Sequence, residues 1–75
     1  MSKITVYSKP NCMQCNFTKK YLDDKGVEYS TLDVFADEEA LNHIKSLGFQ
    51  SLPVVEIDGE EPFNGFRPDL LAKLA

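Results

Sequence analysis

Twice within its first 50 residues this chain passes from a strand-like run into helical spacing, and that repeated handover restricts its fold more than any other feature. Lys3–Tyr7 (KITVY) is β-branched and apolar, the pattern of a buried strand. Cys15–Lys25 then follows helical spacing. Phe17 and Tyr21 stack at i and i+4, Thr18 and Leu22 lie beside them, and Gly26 offers a stop. Glu28–Val34 reads as a second strand and Asp37–Leu47 as a second helix. The helix carries Asp37, Glu38 and Glu39 in its first turn, where the macrodipole favours anions. Leu41, Ile44 and Leu47 form its apolar stripe, and Gly48 ends it. VVEI-DG-EEPF is expected to be a hairpin, with Asp58-Gly59 supplying the positive-φ pair of a type I′ turn. Pro62 has no N–H to give a ladder, which puts the returning strand at an edge. Pro68–Leu74 is expected to be a short helix, with Pro68 in its first turn and Leu70, Leu71 and Leu74 facing inward.

The order is thus β-α-β-α-β-β-α. A β-α-β crossover in one sheet is right-handed and gives parallel strands, while the hairpin adds antiparallel ones. The result is a four-stranded mixed sheet with helices on both faces, which is the thioredoxin fold. The 75 residues are expected to form a single domain, 1–75. A chain of this size buries only about 60% of its unfolded surface, and small domains often add staples. Here only Cys12 and Cys15 are available, and they would close a four-residue ring. In the chain-entropy model stabilisation grows with the logarithm of loop length, so this ring gives almost the least.

Composition excludes several function classes. At 43% hydrophobic and 27% charged, the chain is that of an ordinary soluble globular protein. No apolar run approaches the roughly 20 residues that span a bilayer. MSKITVY enters a strand pattern directly, with no signal-peptide core, so a cytoplasmic location is expected. In that reducing compartment a cysteine pair is more often catalytic or metal-binding than structural. Residues 1–27 hold five lysines against Asp23 and Asp24, a net +3, whereas residues 28–75 hold three basic and ten acidic side chains, a net −7. The basic part carries the cysteines, which would steer an acidic partner or favour a thiolate, although a solvated mix of surface charges is the plainer reading. No basic cluster interleaved with aromatics suggests nucleic-acid binding. A monomer is expected.

The chemistry rests on Cys12-Met13-Gln14-Cys15. Cys12 falls where a strand hands over to a helix, so the free N–H groups and positive end of the dipole would stabilise a thiolate there. The thiolate is the nucleophile of disulfide exchange. On a helix start this spacing leaves the first sulfur exposed with the second beneath it. The first attacks a target disulfide and the second resolves the mixed disulfide. Zinc is the rival, but a structural site needs four ligands and the only other strong candidate is His43, on the polar side of the second helix.

Two further segments complete the site. Leu52-Pro53 precedes the buried Val54-Val55, where proline can begin a strand. Base rates alone make a cis bond there uncommon, about 5% of X–Pro bonds. Gly65-Phe66-Arg67-Pro68-Asp69 has the features of a helix start, with Arg67 expected to tie the loop down through neighbouring backbone.

YSKPNCMQC at 7–15, LPVV at 52–55 and GFRPD at 65–69, in this order and spacing, resemble the glutaredoxin-like redoxins of the NrdH type over essentially the whole chain. The resemblance implies a thioredoxin fold with Pro53 in cis beside the cysteines, Cys12 as nucleophile and Cys15 as resolver. It implies partner contacts from Lys9, Met13, Gln14 and Leu52, and from the Gly65-Phe66-Arg67 turn. It also implies electron delivery from NADPH, via thioredoxin reductase, to the large subunit of class Ib ribonucleotide reductase, with no bound cofactor beyond a reversible Cys12–Cys15 disulfide. The chain departs from the family in having Phe63-Asn64 where Trp-Ser is usual. It lacks the Pro-Tyr and Gly-Gly that typical glutaredoxins use for glutathione, although Lys9 is shared with them. A glutathione-dependent glutaredoxin and a metal- or cluster-binding module remain the alternatives.

Overall fold

The computed structural model describes residues 3–74. Four strands, β1 (Ile4–Ser8), β2 (Ser30–Asp33), β3 (Val54–Ile57) and β4 (Phe63–Asn64), form one sheet in the order β2-β1-β3-β4. β1 and β2 run parallel with Tyr7 opposite Leu32. β3 runs antiparallel to both of its neighbours, Val55 lying between Val6 and Phe63. Between and after them come α1 (Met13–Asp24), α2 (Glu38–Ser46) and α3 (Pro68–Leu71), which tightens into a 3₁₀ turn over Ala72–Leu74. The expected β-α-β-α-β-β-α thioredoxin topology is present.

Strand alternation divides the interior into two cores. Ile4 and Val6 of β1 join Val55 and Ile57 of β3 on one face, against Leu22 of α1 and Leu71 of α3. Tyr7 and Val54 point to the other face and meet Val34 with Ala40 and Ile44 of α2. The two central strands are therefore covered on both sides, which is why their sequences are almost continuously apolar. Leu22 and Leu71 are fully buried, and each burial stabilises the fold by roughly 1.5–3 kcal/mol.

The two long helices end alike. Gly26 (φ 69°) and Gly48 (φ 90°) take the left-handed conformation that glycine adopts without a Cβ penalty. Gly26 donates to the carbonyl of Asp23 at 3.1 Å while Val27 reaches back to Leu22 at 3.0 Å. Gly48 and Phe49 repeat the pattern on Lys45 and Ile44, at 3.0 and 3.2 Å. These are Schellman caps, each sealed by an apolar pair from its own core. At the other end of α2, Asp37 caps by accepting from the N–H groups of Glu39 and Ala40, at 3.0 and 3.2 Å.

The structure corrects three local expectations. Asp58-Gly59 is not a type I′ turn: among the described non-glycine residues only Asn11 has positive φ, so Asp58 does not. Gly59 alone is left-handed, at φ 80°, and Glu60 donates to the carbonyl of Ile57 at 3.1 Å. A single positive φ at the third position suits a type II turn. The tight hairpin fails because pairing resumes only at Phe63, opposite Val55, with Pro62 just ahead of the short edge strand. Leu47 is exposed rather than part of the apolar stripe, since it caps α2 while Ala40 supplies the buried contact. Phe17 and Tyr21 do share one face at i and i+4, where both pack on Phe66. Finally, α1 begins at Met13, two residues before the expected start, and this places both cysteines at its first turn.

Candidate active site

Cys12 and Cys15 are joined as a disulfide, their Cα atoms 5.2 Å apart. β1 delivers the chain to Ser8, and Lys9 to Asn11 turn it onto α1. Asn11 sits at φ 60°, a left-handed position that asparagine tolerates better than most side chains. Cys12 is extended (φ −99°, ψ 107°) and acts as the N-cap of α1. The N–H of Cys15 donates to its Sγ at 3.3 Å. A sulfur thus fills the place where Ser, Thr, Asp or Asn usually satisfies a helix start. Once the disulfide is opened, the same donor and the positive helix end stabilise negative charge on that sulfur. Cys15 is fully buried, whereas Cys12 keeps 8% of its surface exposed. Of the two residues Cys12 is the more accessible, yet it too is buried, where the spacing leads one to expect an exposed first sulfur.

Two other segments lie against this turn. The Leu52-Pro53 bond is cis, and Pro53 is fully buried with its carbonyl accepting from Gly65 N–H at 2.8 Å. Gln14 Oε1 accepts from Phe66 N–H at 3.4 Å, connecting the cysteine turn to the loop before α3. Asn64 Nδ2 donates to Ser51 Oγ at 2.6 Å, so the residue that replaces the family's usual Ser ties β4 to the segment ahead of Pro53. The Phe66 ring packs on Phe17 and Tyr21, with centroids 5.9 and 6.4 Å away. Arg67 does not tie the loop to backbone. Its Nε and Nη2 donate to the two carboxylate oxygens of Asp69 at 3.2 and 3.1 Å, on the exposed surface. Two residues along the same helix start, that carboxylate is simply the nearest charged partner. The pairing raises the pKa of Arg67 and lowers that of Asp69.

A groove of about 720 Å³ opens on one side of the disulfide. Lys9, Cys12, Met13, Gln14 and Leu52 line it together with Phe35, Leu41, Lys45 and Phe49. Met13 and Phe35 are 70% and 72% exposed, unusual for large apolar side chains. Phe66 lies instead on a separate apolar face with Phe17 and Tyr21. The candidate positions therefore separate into the groove, the hydrogen-bonded Pro53-Gly65-Phe66 wall, and Arg67 outside both.

One cluster escaped sequence reasoning. Tyr7 donates its hydroxyl to Glu56 Oε1 at 3.0 Å, and His43 Nε2 lies 2.7 Å from Glu56 Oε2. The rings of Tyr7 and His43 are 5.8 Å apart. Burial, then the Glu56 hydrogen bond, pushes the Tyr7 phenol up to about 12. The His43 hydrogen bond holds the Glu56 carboxyl below the usual carboxylate range, against an opposing effect of burial. A lone carboxylate within the apolar VVEI was the available signal. His43 is thus engaged away from the cysteines, and among the described residues no three His, Cys, Asp or Glu side chains are arranged to hold a metal. No helix among them is long and apolar enough to cross a membrane.

Comparison with known proteins agrees with this geometry. The glutaredoxin family model matches residues 4–61. The glutaredoxin-like protein NrdH of Lactococcus lactis subsp. cremoris is 40% identical over 72 residues, covering 96% of this chain and 99% of that protein. The solved structure of the glutaredoxin-like protein NrdH-redoxin from Escherichia coli, described for its thioredoxin-like activity profile, superposes with a TM-score of 0.92 at 34% identity, over 97% of this chain and 95% of that one. The thioredoxin-like protein BC3987 gives 0.87 at 36% identity, over 97% and 100%. The Cys12–Cys15 pair is a reversible, redox-active disulfide, and the activity it supports is thiol–disulfide exchange by a small electron carrier. With its helix-capping sulfur, cis-proline wall and whole-length similarity, this chain belongs to the glutaredoxin family, among the glutaredoxin-like NrdH redoxins.

Proposed function

We propose that this chain is a cytoplasmic, monomeric dithiol carrier that takes two electrons from NADPH through thioredoxin reductase and delivers them to the large subunit of class Ib ribonucleotide reductase. The observation that carries the chemical part is the N–H of Cys15 directed onto Cys12 Sγ at the start of α1. In the reduced protein Cys12 is the nucleophile. Its thiolate attacks a target disulfide, one target sulfur leaves as thiolate, and a mixed disulfide forms. Cys15 then attacks Cys12 Sγ, closing the Cys12–Cys15 bond and releasing the second target sulfur. Two electrons and two protons pass to the target.

The backbone of Leu52, ahead of Pro53, receives the target segment as an added strand. Met13, Gln14 and Lys9 border that segment, and Gly65 and Phe66 brace the wall behind it. Support for thioredoxin reductase as reductant comes from Phe66, whose ring packs on Phe17 and Tyr21 where an open turn would be needed for glutathione. One observation favours the second reading, a glutathione-dependent glutaredoxin: Lys9 lies in the groove beside Cys12, where a carboxylate of the tripeptide would reach it.

NADPH oxidation separates the two. With thioredoxin reductase and an oxidised target the protein turns over efficiently, while glutathione with glutathione reductase supports little turnover. Equal or faster turnover with glutathione would move the chain to the general glutaredoxins and remove the ribonucleotide-reductase assignment.

A further inference from the structure

The groove beside the disulfide has a charge pattern at odds with the rest of the molecule. The chain carries twelve acidic and eight basic side chains, yet the groove lining includes Lys9 and Lys45 and no acidic residue. Lys9 stands just before the cysteine turn, and Lys45 lies in the last turn of α2. Among the described residues the ion pairs are His43–Glu56 and Arg67–Asp69, so neither groove lysine is paired. Of the carboxylates near the β2–α2 side of the groove, Glu38 and Glu39 are exposed and outside its lining, while Asp33 and Asp37 are held by backbone. Asp33 accepts from Phe35 N–H at 2.8 Å, and Asp37 caps α2. The rest of the lining is mainly apolar, with Phe35, Leu41, Phe49 and Leu52, and includes the polar Gln14, Gln50 and Ser51.

We propose that this groove selects target disulfides carried on acidic peptide segments, with Lys9 and Lys45 receiving carboxylates that flank the reacting cysteines and the apolar floor receiving an intervening side chain. The inference rests on the dithiol-carrier reading and adds the class of segment that it serves. An overall net charge of −4 would repel such a segment at long range. Two exposed, unpaired lysines that line the same groove as Cys12 reverse that locally, because attraction at contact range outweighs repulsion from charges screened beyond a Debye length. Electrostatic selection of this kind sets encounter and specificity more than total affinity.

The test uses the protein pre-reduced with dithiothreitol and freed of it, so that no reductase enters the measurement. Its oxidation by Cys-x-x-Cys disulfide peptides flanked by two Glu, two Gln or two Lys is followed by thiol loss, beside oxidised glutathione. An exposed ion pair is worth about 0.2–1 kcal/mol, so two give the Glu peptide an advantage of about 2- to 30-fold over the Gln peptide at low ionic strength. The advantage declines in 0.5 M salt. The Glu-to-Gln rate ratio falls toward one in the Lys9→Gln, Lys45→Gln double variant, and Lys45→Glu shifts preference toward the Lys peptide. It persists in Lys73→Gln, whose lysine lies outside the groove. Equal rates for Glu and Gln peptides, or a preference that survives in the double variant, overturns the inference while leaving the carrier reading intact. Oxidised glutathione reacting as fast as the Glu peptide also overturns it, assigning the lysines to the tripeptide. Failure to reduce any of these disulfides overturns the carrier reading, and the inference with it.

Discussion

Replacing Tyr7 by Phe removes one oxygen and tests the cluster that links β1, β3 and α2. The Tyr7 hydroxyl donates to Glu56 Oε1 at 3.0 Å, and His43 holds the other carboxylate oxygen at 2.7 Å. Hydrogen bonds to charged groups contribute about 1.5–3 kcal/mol. The Glu56 side chain is 32% exposed, so water can replace part of the lost bond and the loss falls to the bottom of that range or just below it, about 1–1.5 kcal/mol. For a domain of this size that corresponds to a fall of roughly 5–10 °C in Tm.

The same change has a pH signature. The folded-state phenol is raised from 10.0 to about 12, so the protonated form is favoured in the folded protein. Its stabilisation is fully present below pH 10 and is lost as pH rises through about 12; at 1.36 kcal/mol per pKa unit, the two-unit shift is on the order of 3 kcal/mol. Thermal and urea unfolding of the oxidised protein and the Tyr7→Phe variant, from pH 7 to 12, checks both parts. The gap at pH 7 should close and then reverse through this alkaline window, because the parent's loss exceeds it, while Tyr29, also raised to about 12, gives both proteins a common alkaline loss. A variant as stable as the parent at pH 7, or a gap unchanged from pH 9 to 12, would refute the reasoning.

Cys12→Ser should abolish reduction of a target disulfide, whereas Cys15→Ser should still attack and accumulate as a mixed disulfide, visible by non-reducing mass spectrometry. Trapping by Cys12→Ser alone would reverse the assigned roles. Leu71→Ala should destabilise by about 2–5 kcal/mol in urea unfolding, because this fully buried side chain fills the space between α3 and the sheet; a loss under about 1 kcal/mol would show that the site collapses around the smaller residue.

The contrast between legible and illegible features follows the range of the interactions involved. Strand and helix identities, both glycine stops and the acidic first turn of α2 are local: each depends on periodicity or backbone preference within a few residues, which the chain displays directly. The cysteine turn was legible for the same reason, since Cys12 and Cys15 needed only a strand before them and a helix after. Phe66 and Arg67 drew attention within a motif, but their contacts did not follow from it. Phe66 N–H meets Gln14 across 52 positions and Arg67 meets Asp69 instead of backbone. The Tyr7–Glu56–His43 cluster needed the antiparallel register of β1 with β3 and the seating of α2, neither of which a short window contains. The Asp58-Gly59 turn failed because the position of the next strand pair, not the dipeptide, set the loop. Lys9 and Lys45 share a groove only because packing α2 on the sheet brings together two lysines 36 positions apart. Local backbone chemistry was thus enough for the sulfur's place at a helix start, while its charged and apolar surroundings came from long-range packing, which alone decides the neighbours of a side chain.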